Sequence, residues 1–271
     1  MIRVELSKML RSRRTWSTIL LIDALPTLVA VLLAVTDLGP RPGQGPAFLS
    51  AVLTDGTLYP LAALGIVLPL FLPIAVAITA GEAIAGEAQQ GTLRYLLVRP
   101  GGRTRLLVAK LVSVLAFVVL AVLVVAVTAY VLGITLLGSQ SLTTGATSVS
   151  GSSLSTTELV ARTGLALAYA MLCMLGVAAI ALFLSTAAES PLGAALGTMA
   201  IFIASTLLLT LEASDAVRPY LPTRYWLAFV DLFRDPILWR DLVRGSLLQV
   251  VYVGVFLAAA WANFATKDVS D

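Results

Sequence analysis

The chain has 271 residues, of which 59% are hydrophobic and only 12% are charged, and its mean hydropathy is +0.96. A soluble domain carries about 25% charged residues, so this composition excludes a protein whose whole surface faces water. The absence of histidine excludes Ser-His-Asp and Cys-His catalysis, HExxH zinc proteolysis and histidine-ligated haem. The net charge of +3 fits basic segments at an anionic membrane surface and does not indicate nucleic-acid binding.

Six long apolar stretches divide the sequence, and each is long enough to cross a membrane as a helix. A helix of about 20 residues spans the roughly 30 Å of a bilayer's hydrocarbon core and keeps its backbone hydrogen bonds internal. We therefore expect an all-α integral membrane protein that forms a single transmembrane domain over residues 1–271. The predicted spans are residues 15–35, 58–80, 111–137, 163–187, 191–211 and 247–264.

The segment before the first span predicts an amphipathic helix that lies in the membrane interface. Ile2, Leu6 and Met9 recur at helical spacing, while most basic residues of segment 1–14 fall on other sides. Trp16 follows as an anchor at the level of the lipid headgroups. The alternative is that this basic segment serves only as a topology signal. A cleaved signal peptide is not expected, because the apolar stretch that follows exceeds the usual core of about 7–15 residues.

The distribution of lysine and arginine predicts the orientation. Basic residues are concentrated in segment 1–14 and in loop 81–110, so the positive-inside tendency places both in the cytoplasm. Six spans return the C-terminus to the same side, as in a multi-pass protein of the bacterial inner membrane. Segment 212–245 holds five arginines, yet this orientation places it outside. The reversed orientation would export more basic residues, so we retain the first.

Two features inside the spans are candidates for a translocation path. Pro69 and Pro73 belong to a second span that also carries Pro60 and Gly65, and prolines remove backbone donors, so we expect this span to be kinked or interrupted. Asp23 is the only acidic residue well inside a span, and an intramembrane carboxylate is costly enough to suggest function. The structural alternatives are ordinary membrane prolines and a carboxyl group that is protonated or bonded to a neighbouring helix.

The two predicted outer segments differ in composition. Residues 138–157 are rich in Ser, Thr and Gly and predict a flexible loop. In segment 212–245, an apolar repeat at helical spacing ends before Pro236 and predicts a short amphipathic helix that dips into the outer leaflet, followed by a second helix near residues 237–243. The repeat consists of Trp226, Phe229, Val230 and Phe233. Helices that rest on the lipid surface are the alternative.

The most informative motif lies between the second and third spans, in loop 81–110. Two glutamates begin it, three leucines share one helical face, and a proline followed by two glycines then breaks the helix. An exposed leucine patch rimmed by charge commonly docks into a groove of another protein, although these leucines could instead pack against the protein's own helix ends. The candidate residues are Glu82, Glu87, Gly91, Thr92, Leu93, Leu96, Leu97, Pro100 and Arg103.

Two sequence patterns resemble those of the permease subunits of bacterial ABC type-2 transporters. Residues 87–110 read E-x-x-x-G-T-L-x-x-L-L-x-x-P-x-x-R-x-x-L-L-x-x-K, and residues 5–16 read E-L-S-K-x-x-R-S-R-R-T-W. The six-span layout agrees as well, so the resemblance covers the whole chain in architecture and two segments in motif. The pair Gly101-Gly102 departs from the family pattern, in which a more conservative residue often precedes the arginine.

The resemblance implies a permease half that pairs with a second copy of itself or with a related permease. Two separate P-loop ATPase subunits would bind ATP and Mg²⁺, because this chain has no GxxxxGK[ST] phosphate loop and is not expected to be an enzyme or to hold a cofactor itself. Residues 1–14 would be the interfacial connecting helix, and residues 89–98 the coupling helix seated in a groove of the ATPase. Segment 212–245 would correspond to re-entrant helices before the last span.

The resemblance also assigns roles to single residues. Glu82 and Glu87 map onto acidic positions at the inner end of the second span, and the turn at Glu189 and Ser190 would be a second cytoplasmic contact. Glu87, Leu93, Leu96, Leu97 and Arg103 are expected to transmit force, while Gly91, Thr92 and Pro100 would shape the helix ends.

The expected function is ATP-driven export of an amphipathic or apolar compound. Closure of the two ATPases would push the coupling helices together and tilt the spans. One alternative is a non-transporting membrane scaffold or sensor that uses the same leucine patch. Another is a secondary carrier that uses Asp23, although a carrier normally needs more intramembrane charge than this. The single cysteine, Cys173, is interpreted as a small buried apolar residue.

Overall fold

The structure is a computed structural model that describes residues 2–36, 56–91, 103–138, 146–147 and 153–266, and these parts are almost entirely helical. Two strands of two residues each, Ala146–Thr147 and Ser153–Leu154, pair antiparallel. The α-helices in chain order are α1 (Ile2–Arg11), α2 (Arg13–Val35), α3 (Tyr59–Val67), α4 (Phe71–Gln89), α5 (Arg103–Leu132), α6 (Thr156–Ala187), α7 (Pro191–Thr210) and α8 (Trp239–Thr266).

Within the described ranges, six helices are long and apolar enough to cross a membrane: α2, α4, α5 with its π-helical continuation Gly133–Leu137, α6, α7 and α8. They run up and down, so α1, the end of α4, the start of α5 and the end of α8 lie at one end of the bundle, called the α1 end below. Several helices begin a turn or more before the apolar stretches predicted for them. Helix α5, for example, begins at Arg103 and not at residue 111, because charged residues can also adopt the helical conformation outside the apolar part. The chain is a helical, multi-pass membrane protein.

The predicted second span is interrupted, as its prolines indicate. Helix α3 ends at Val67, a turn that contains Pro69 follows, and α4 begins at Phe71. Pro73 lies in the first turn of α4, where a proline removes no intrahelical hydrogen bond. Helix α4 continues to Gln89 instead of ending near residue 80. The loop predicted over residues 81–110 is therefore shorter than expected, since its two ends belong to α4 and α5.

Helix α6 forms the centre of the bundle and contacts α4, α5, α7 and α8. Its middle is rich in small buried residues such as Ala170, Ala178 and Ala181, which allow the neighbouring helices to approach closely. At Gly176, a Cβ atom would lie 2.1 Å from Oε1 of Gln249 on α8, so a larger residue here would force the buried Gln249 side chain to move.

Helices α2, α7 and α8 lie at the outside of the bundle. In their most apolar windows only 28%, 28% and 17% of the residues are buried, compared with 61% in α6. The exposed faces carry large apolar side chains, which are stable in lipid or against another chain and not in water. Examples are Leu20, Leu28 and Leu32 on α2, Leu196 and Ile203 on α7, and Leu247, Val250 and Val251 on α8.

The segment between α7 and α8 differs from the prediction of two amphipathic helices. It forms three short 3₁₀ turns, Glu212–Ser214, Arg218–Tyr220 and Ala228–Phe233. The second helix expected near residues 237–243 is not separate, because α8 begins at Trp239 and continues without a break to Thr266. The apolar repeat nevertheless faces the interior, since Trp226, Phe229 and Phe233 are buried and Val230 is partly buried.

Side chains from the spans explain why this segment is stable without a regular helix. The hydroxyl of Tyr169 on α6 donates to the carbonyl oxygen of Tyr225 at 2.7 Å. On α8, Nε2 of Gln249 donates to the carbonyl oxygen of Pro222 at 2.8 Å, and the hydroxyl of Tyr252 donates to the carbonyl oxygen of Tyr220 at 2.9 Å. These bonds satisfy carbonyl groups that an α-helix would satisfy with its own amides.

Candidate functional site

A cleft opens at the α1 end, between α1 and the start of α2 on one side and α4, α5 and α7 on the other. Its volume is about 920 Å³, and we refer to it as the charged cleft. Apolar side chains line one part of it, among them Met9, Ile78, Val114 and Leu192. Six charged side chains line another part: Glu5, Lys8, Arg14, Glu82, Glu87 and Lys110.

Lys110 on α5 is the buried centre of these charges. The residue is only 4% exposed, and its Nζ donates to Oε2 of Glu5 at 2.9 Å and to Oε1 of Glu87. Glu5, Glu87 and Lys110 are called the buried triad below. Ions removed from water persist only when they are paired, because each one costs several kcal/mol to desolvate. One ammonium group therefore joins α1, α4 and α5.

Two weaker ion pairs lie at the rim of the charged cleft. Nζ of Lys8 is 3.6 Å from Oε1 of Glu87, and Nη1 of Arg14 is 3.5 Å from Oε1 of Glu82. The side chains of Arg14 and Glu82 are 85% and 47% exposed, so water screens their attraction and the pair adds little stability. Arg14 and Glu82 are therefore a cation and an anion that lie side by side and are both accessible.

The lower part of α4 is also bonded to α6. Oγ of the fully buried Ser185 accepts hydrogen bonds from the backbone N–H groups of Ile84 and Ala85 at 3.1 and 3.0 Å, and its hydroxyl donates to the carbonyl oxygen of Gly81 at 2.7 Å. At Gly81 a Cβ atom would lie 3.1 Å from the carbonyl oxygen of Pro191, so this glycine lets α7 approach. The end of α4 is thus held by three other helices besides α1.

The structure describes four of the predicted coupling residues: Glu82, Glu87, Gly91 and Arg103. The two glutamates come together at the charged cleft. Gly91 follows Gln90, the C-cap residue of α4, and has a φ of +68°, the left-handed conformation in which glycine ends many helices. The other predicted coupling residues, Thr92, Leu93, Leu96, Leu97 and Pro100, lie outside the described residues, as does most of the predicted coupling helix over residues 89–98.

Arg103 begins α5, and its side chain reaches the end of the last span. Its Nη1 donates to the carbonyl oxygens of Ala265 at 2.7 Å and Phe264 at 3.3 Å. A guanidinium group at a helix C-terminus satisfies terminal carbonyl groups and interacts favourably with the helix dipole. The predicted second contact turn, at Glu189 and Ser190, directly precedes α7. Oγ of Ser190 caps this helix by accepting a hydrogen bond from the N–H of Gly193 at 3.1 Å.

The candidates inside the spans are not among the residues that line the charged cleft. Oδ1 of Asp23 accepts a hydrogen bond from Oγ1 of Thr128 on α5 at 2.6 Å. This contact matches the structural alternative, in which a neighbouring helix satisfies the carboxyl group. Pro69 lies in the turn between α3 and α4, and Pro73 is buried at the start of α4.

Sequence reasoning did not identify Glu5, Lys110 and Ser185 as site residues. Glu5 and Lys110 belong to the two quoted motifs, but they are separated by 105 positions, and only the fold brings them together. Lys110 carried a usable signal, since it is a lone cation at the border of an apolar stretch. Ser185 carried none, because serine is common inside membrane helices.

The chemistry available at the charged cleft is that of paired ions. In the part of the chain that the structure describes, no three cysteine, aspartate or glutamate side chains are placed to hold a metal ion. Cys173 is buried in α6. The arrangement can bind charged groups at its rim and can link helices through its base.

These features define a class of protein, namely a helical multi-pass membrane protein. It has the charged cleft at one end of the bundle and, at the other end, an irregular segment between α7 and α8 that is held by side chains of α6 and α8. The chain belongs to the family described as "Protein of unknown function (DUF2705)", whose model matches residues 45–270. The matched range includes Glu82, Glu87 and Lys110 and excludes Glu5 and Arg14. A comparison with curated proteins finds no match.

Proposed function

We propose that this protein is the permease subunit of an ATP-driven transporter of the ABC type-2 class. One observation carries the proposal: the two helices that flank residues 90–102 are both bonded into the bundle close to that loop. Helix α4 is held through Glu87 and Ser185, and α5 through Lys110 and Arg103. A loop that receives force from a partner needs such links to the spans that it moves. The motif over residues 87–110 supports the same assignment.

In this mechanism the chemistry takes place in the partners. Two P-loop ATPase subunits bind ATP and Mg²⁺ and close on each other, which displaces the coupling loop of each permease. The buried triad would pass a displacement of α4 to α1 and α5, and Ser185 would pass it to α6. Because these groups are buried and paired, they would move as one body more readily than they would separate.

The proposed location is the inner membrane of a bacterium, with α1, the coupling loop and the C-terminus in the cytoplasm. The concentration of basic residues before α2 supports this orientation. Helix α1 would lie in the membrane interface, since Ile2, Val4 and Leu10 are exposed and lipid would cover them.

The segment between α7 and α8 is proposed to be re-entrant from the outer side. Its Tyr220 carbonyl accepts from Tyr252, which lies five residues into the apolar stretch that begins at Leu247. At about 1.5 Å per helical residue, the segment would therefore reach roughly 8 Å below the outer edge of the hydrocarbon core. The exposed apolar faces of α2, α7 and α8 would contact lipid and a second permease. The transported compound is proposed to be amphipathic or apolar and to be exported.

Co-purification tests the proposal. The tagged full chain, extracted from its native membrane, is expected to bring with it a P-loop ATPase subunit. The double substitution Leu96→Asp with Leu97→Asp should abolish this association, because it places charge on the predicted docking face. Val98→Asp is the matched control, since position 98 lies on a different side of the same predicted helix and should retain the partner.

Two outcomes would contradict the assignment. If no ATPase accompanies the native chain under conditions that preserve other membrane complexes, the transporter proposal fails and a scaffold becomes the better explanation. If Val98→Asp removes the ATPase as completely as the leucine pair does, the docking face is wrong. The carrier alternative would rest on Asp23, whose carboxyl group accepts a hydrogen bond from Thr128 and does not line the charged cleft.

A further inference from the structure

We propose that the charged cleft binds a zwitterionic amphiphile of the phospholipid class, with the phosphate of its head group against Arg14 and its ammonium group against Glu82. This inference deepens the proposed function, because the assignment of the amphiphile as cargo rests on that function. Binding itself does not depend on an ATPase and is tested on this chain alone.

The charge balance of the charged cleft selects for a zwitterion. Three cationic and three carboxylate side chains line it, so it favours neither a net anion nor a net cation. At its base, Lys110 pairs with Glu5 and Glu87 and is not accessible to a ligand, and Lys8 beside Glu87 balances the second carboxylate charge. Of the two rim pairs, Lys8 faces a carboxylate that is only 10% exposed, so Arg14 and Glu82 form the pair in which both the cation and the anion are accessible.

The rim pair can exchange its partners at little cost. Nη1 of Arg14 is 3.5 Å from Oε1 of Glu82, and the side chains are 85% and 47% exposed, so water screens their mutual attraction and the pair is weak. A head group that carries both a phosphate and an ammonium group offers each side chain a new partner at the same time. A guanidinium group also binds phosphate with well-defined geometry.

The apolar part of the cleft indicates that the ligand carries a hydrocarbon chain. Ile78 on α4 and Leu192 on α7 line the cleft and are 44% and 67% exposed. Both residues belong to helices that are apolar enough to span the membrane, so this wall continues into the hydrocarbon region. The volume of about 920 Å³ lies within the range of roughly 300–1,000 Å³ that small-molecule pockets have.

Native mass spectrometry of the full chain in detergent tests the proposal with three probes: dioleoyl phosphatidylethanolamine, dioleoyl phosphatidylglycerol and free phosphoethanolamine. We expect a one-to-one complex with phosphatidylethanolamine that survives activation energies at which phosphatidylglycerol dissociates. Arg14→Glu should lower the bound fraction by about fivefold or more, since it removes the partner of the phosphate. Arg13→Glu is the matched control, because Arg13 is an exposed neighbour that does not line the cleft.

Two further variants separate a binding role from a structural role. The charge exchange Arg14→Glu with Glu82→Arg should restore binding, because both charges are again present at the rim. Glu82→Gln should shift the preference from phosphatidylethanolamine towards phosphatidylglycerol, since the ammonium group loses its partner and the cleft becomes net positive. A general loss of folding would change both lipids equally and would not invert their order.

Three results would overturn the proposal: equal retention of the two lipids by the native chain, an equal effect of Arg13→Glu and Arg14→Glu, or free phosphoethanolamine binding as tightly as the lipid. If the lipid binds as expected but no ATPase co-purifies, the site stands and its role in transport falls. If the ATPase co-purifies but the lipid does not bind selectively, the transporter assignment stands and this inference falls.

Discussion

At the scale of single residues, burial separates the ion pairs of the charged cleft into two kinds. Lys110 is almost fully buried and contacts two carboxylates from different helices, whereas Lys8 and Arg14 remain mostly solvated. Removal of one partner from a buried group leaves an uncompensated charge, while removal of an exposed partner leaves a group that water can solvate. The sequence identifies these residues as charged but cannot distinguish the two kinds.

The first prediction concerns the buried triad. Lys110→Met keeps the length of the side chain but leaves the buried Glu87 and the partly buried Glu5 without the ammonium group between them, so we expect a loss of about 3–5 kcal/mol in the free energy of unfolding. SDS titration in mixed micelles, followed by tryptophan fluorescence, measures this loss. The double variant Lys110→Met with Glu87→Gln should recover part of it, because one of the unpaired charges is removed.

The control for this prediction is Lys8→Met. This side chain is 68% exposed, so the substitution should cost less than about 1 kcal/mol. An equal loss in the Lys8 and Lys110 variants would show that burial of the ammonium group does not determine the stability of the α1 end.

At the scale of elements, the sequence predicts spans well and irregular segments poorly. The apolar stretches correspond to the six long helices, and the prolines of the second stretch mark its interruption. The repeat from Trp226 to Phe233 has spacings of three and four residues, which a 3₁₀ turn and an α-helix share over so short a length. Contacts from Tyr169, Gln249 and Tyr252 decide between them, and these contacts come from distant parts of the chain.

The second prediction concerns the contact between α6 and α8. Gly176→Ala would bring a methyl group within 2.1 Å of Gln249, so we expect overpacking to cost about 1–3 kcal/mol and to weaken the bond from Gln249 to Pro222. Thermal unfolding measures the loss, and hydrogen exchange should show increased exchange in residues 218–226.

The matched control lies on the same helix. Gly164 has open space where a Cβ atom would be added, so Gly164→Ala should change stability by less than about 1 kcal/mol and in a favourable direction. If both alanine variants behave alike, close approach of α6 and α8 is not the reason for the glycine at position 176.

At the scale of the whole molecule, the two ends of the bundle are built differently. The α1 end holds the buried triad and the charged cleft, while the opposite end holds the 3₁₀ segment anchored by side chains of α6 and α8. The proposed transporter function would use such asymmetry, because energy would be supplied at one side of the membrane and the substrate released at the other.

The third prediction tests the proposed orientation by cysteine labelling. In intact cells, a membrane-impermeant maleimide should label Ala216→Cys, which lies in the exposed segment after α7, and should label Gln90→Cys only after permeabilisation. The native Cys173 is fully buried and provides an unlabelled background. The reverse pattern would place the charged cleft on the outer side and would contradict the proposed coupling to a cytoplasmic ATPase.

The sequence by itself determined the class of this protein, because long apolar stretches and few charges can only be accommodated in a membrane. It also determined the interruption at Pro69, since a proline lacks a backbone N–H donor and breaks a helix by its own local geometry. Only the tertiary structure decided that Glu5, Glu87 and Lys110 meet, that Ser185 bonds to α4, and that Asp23 has a partner in Thr128. Local preferences act over a few residues, whereas ion pairing and close helix contacts depend on which distant surfaces the fold brings together.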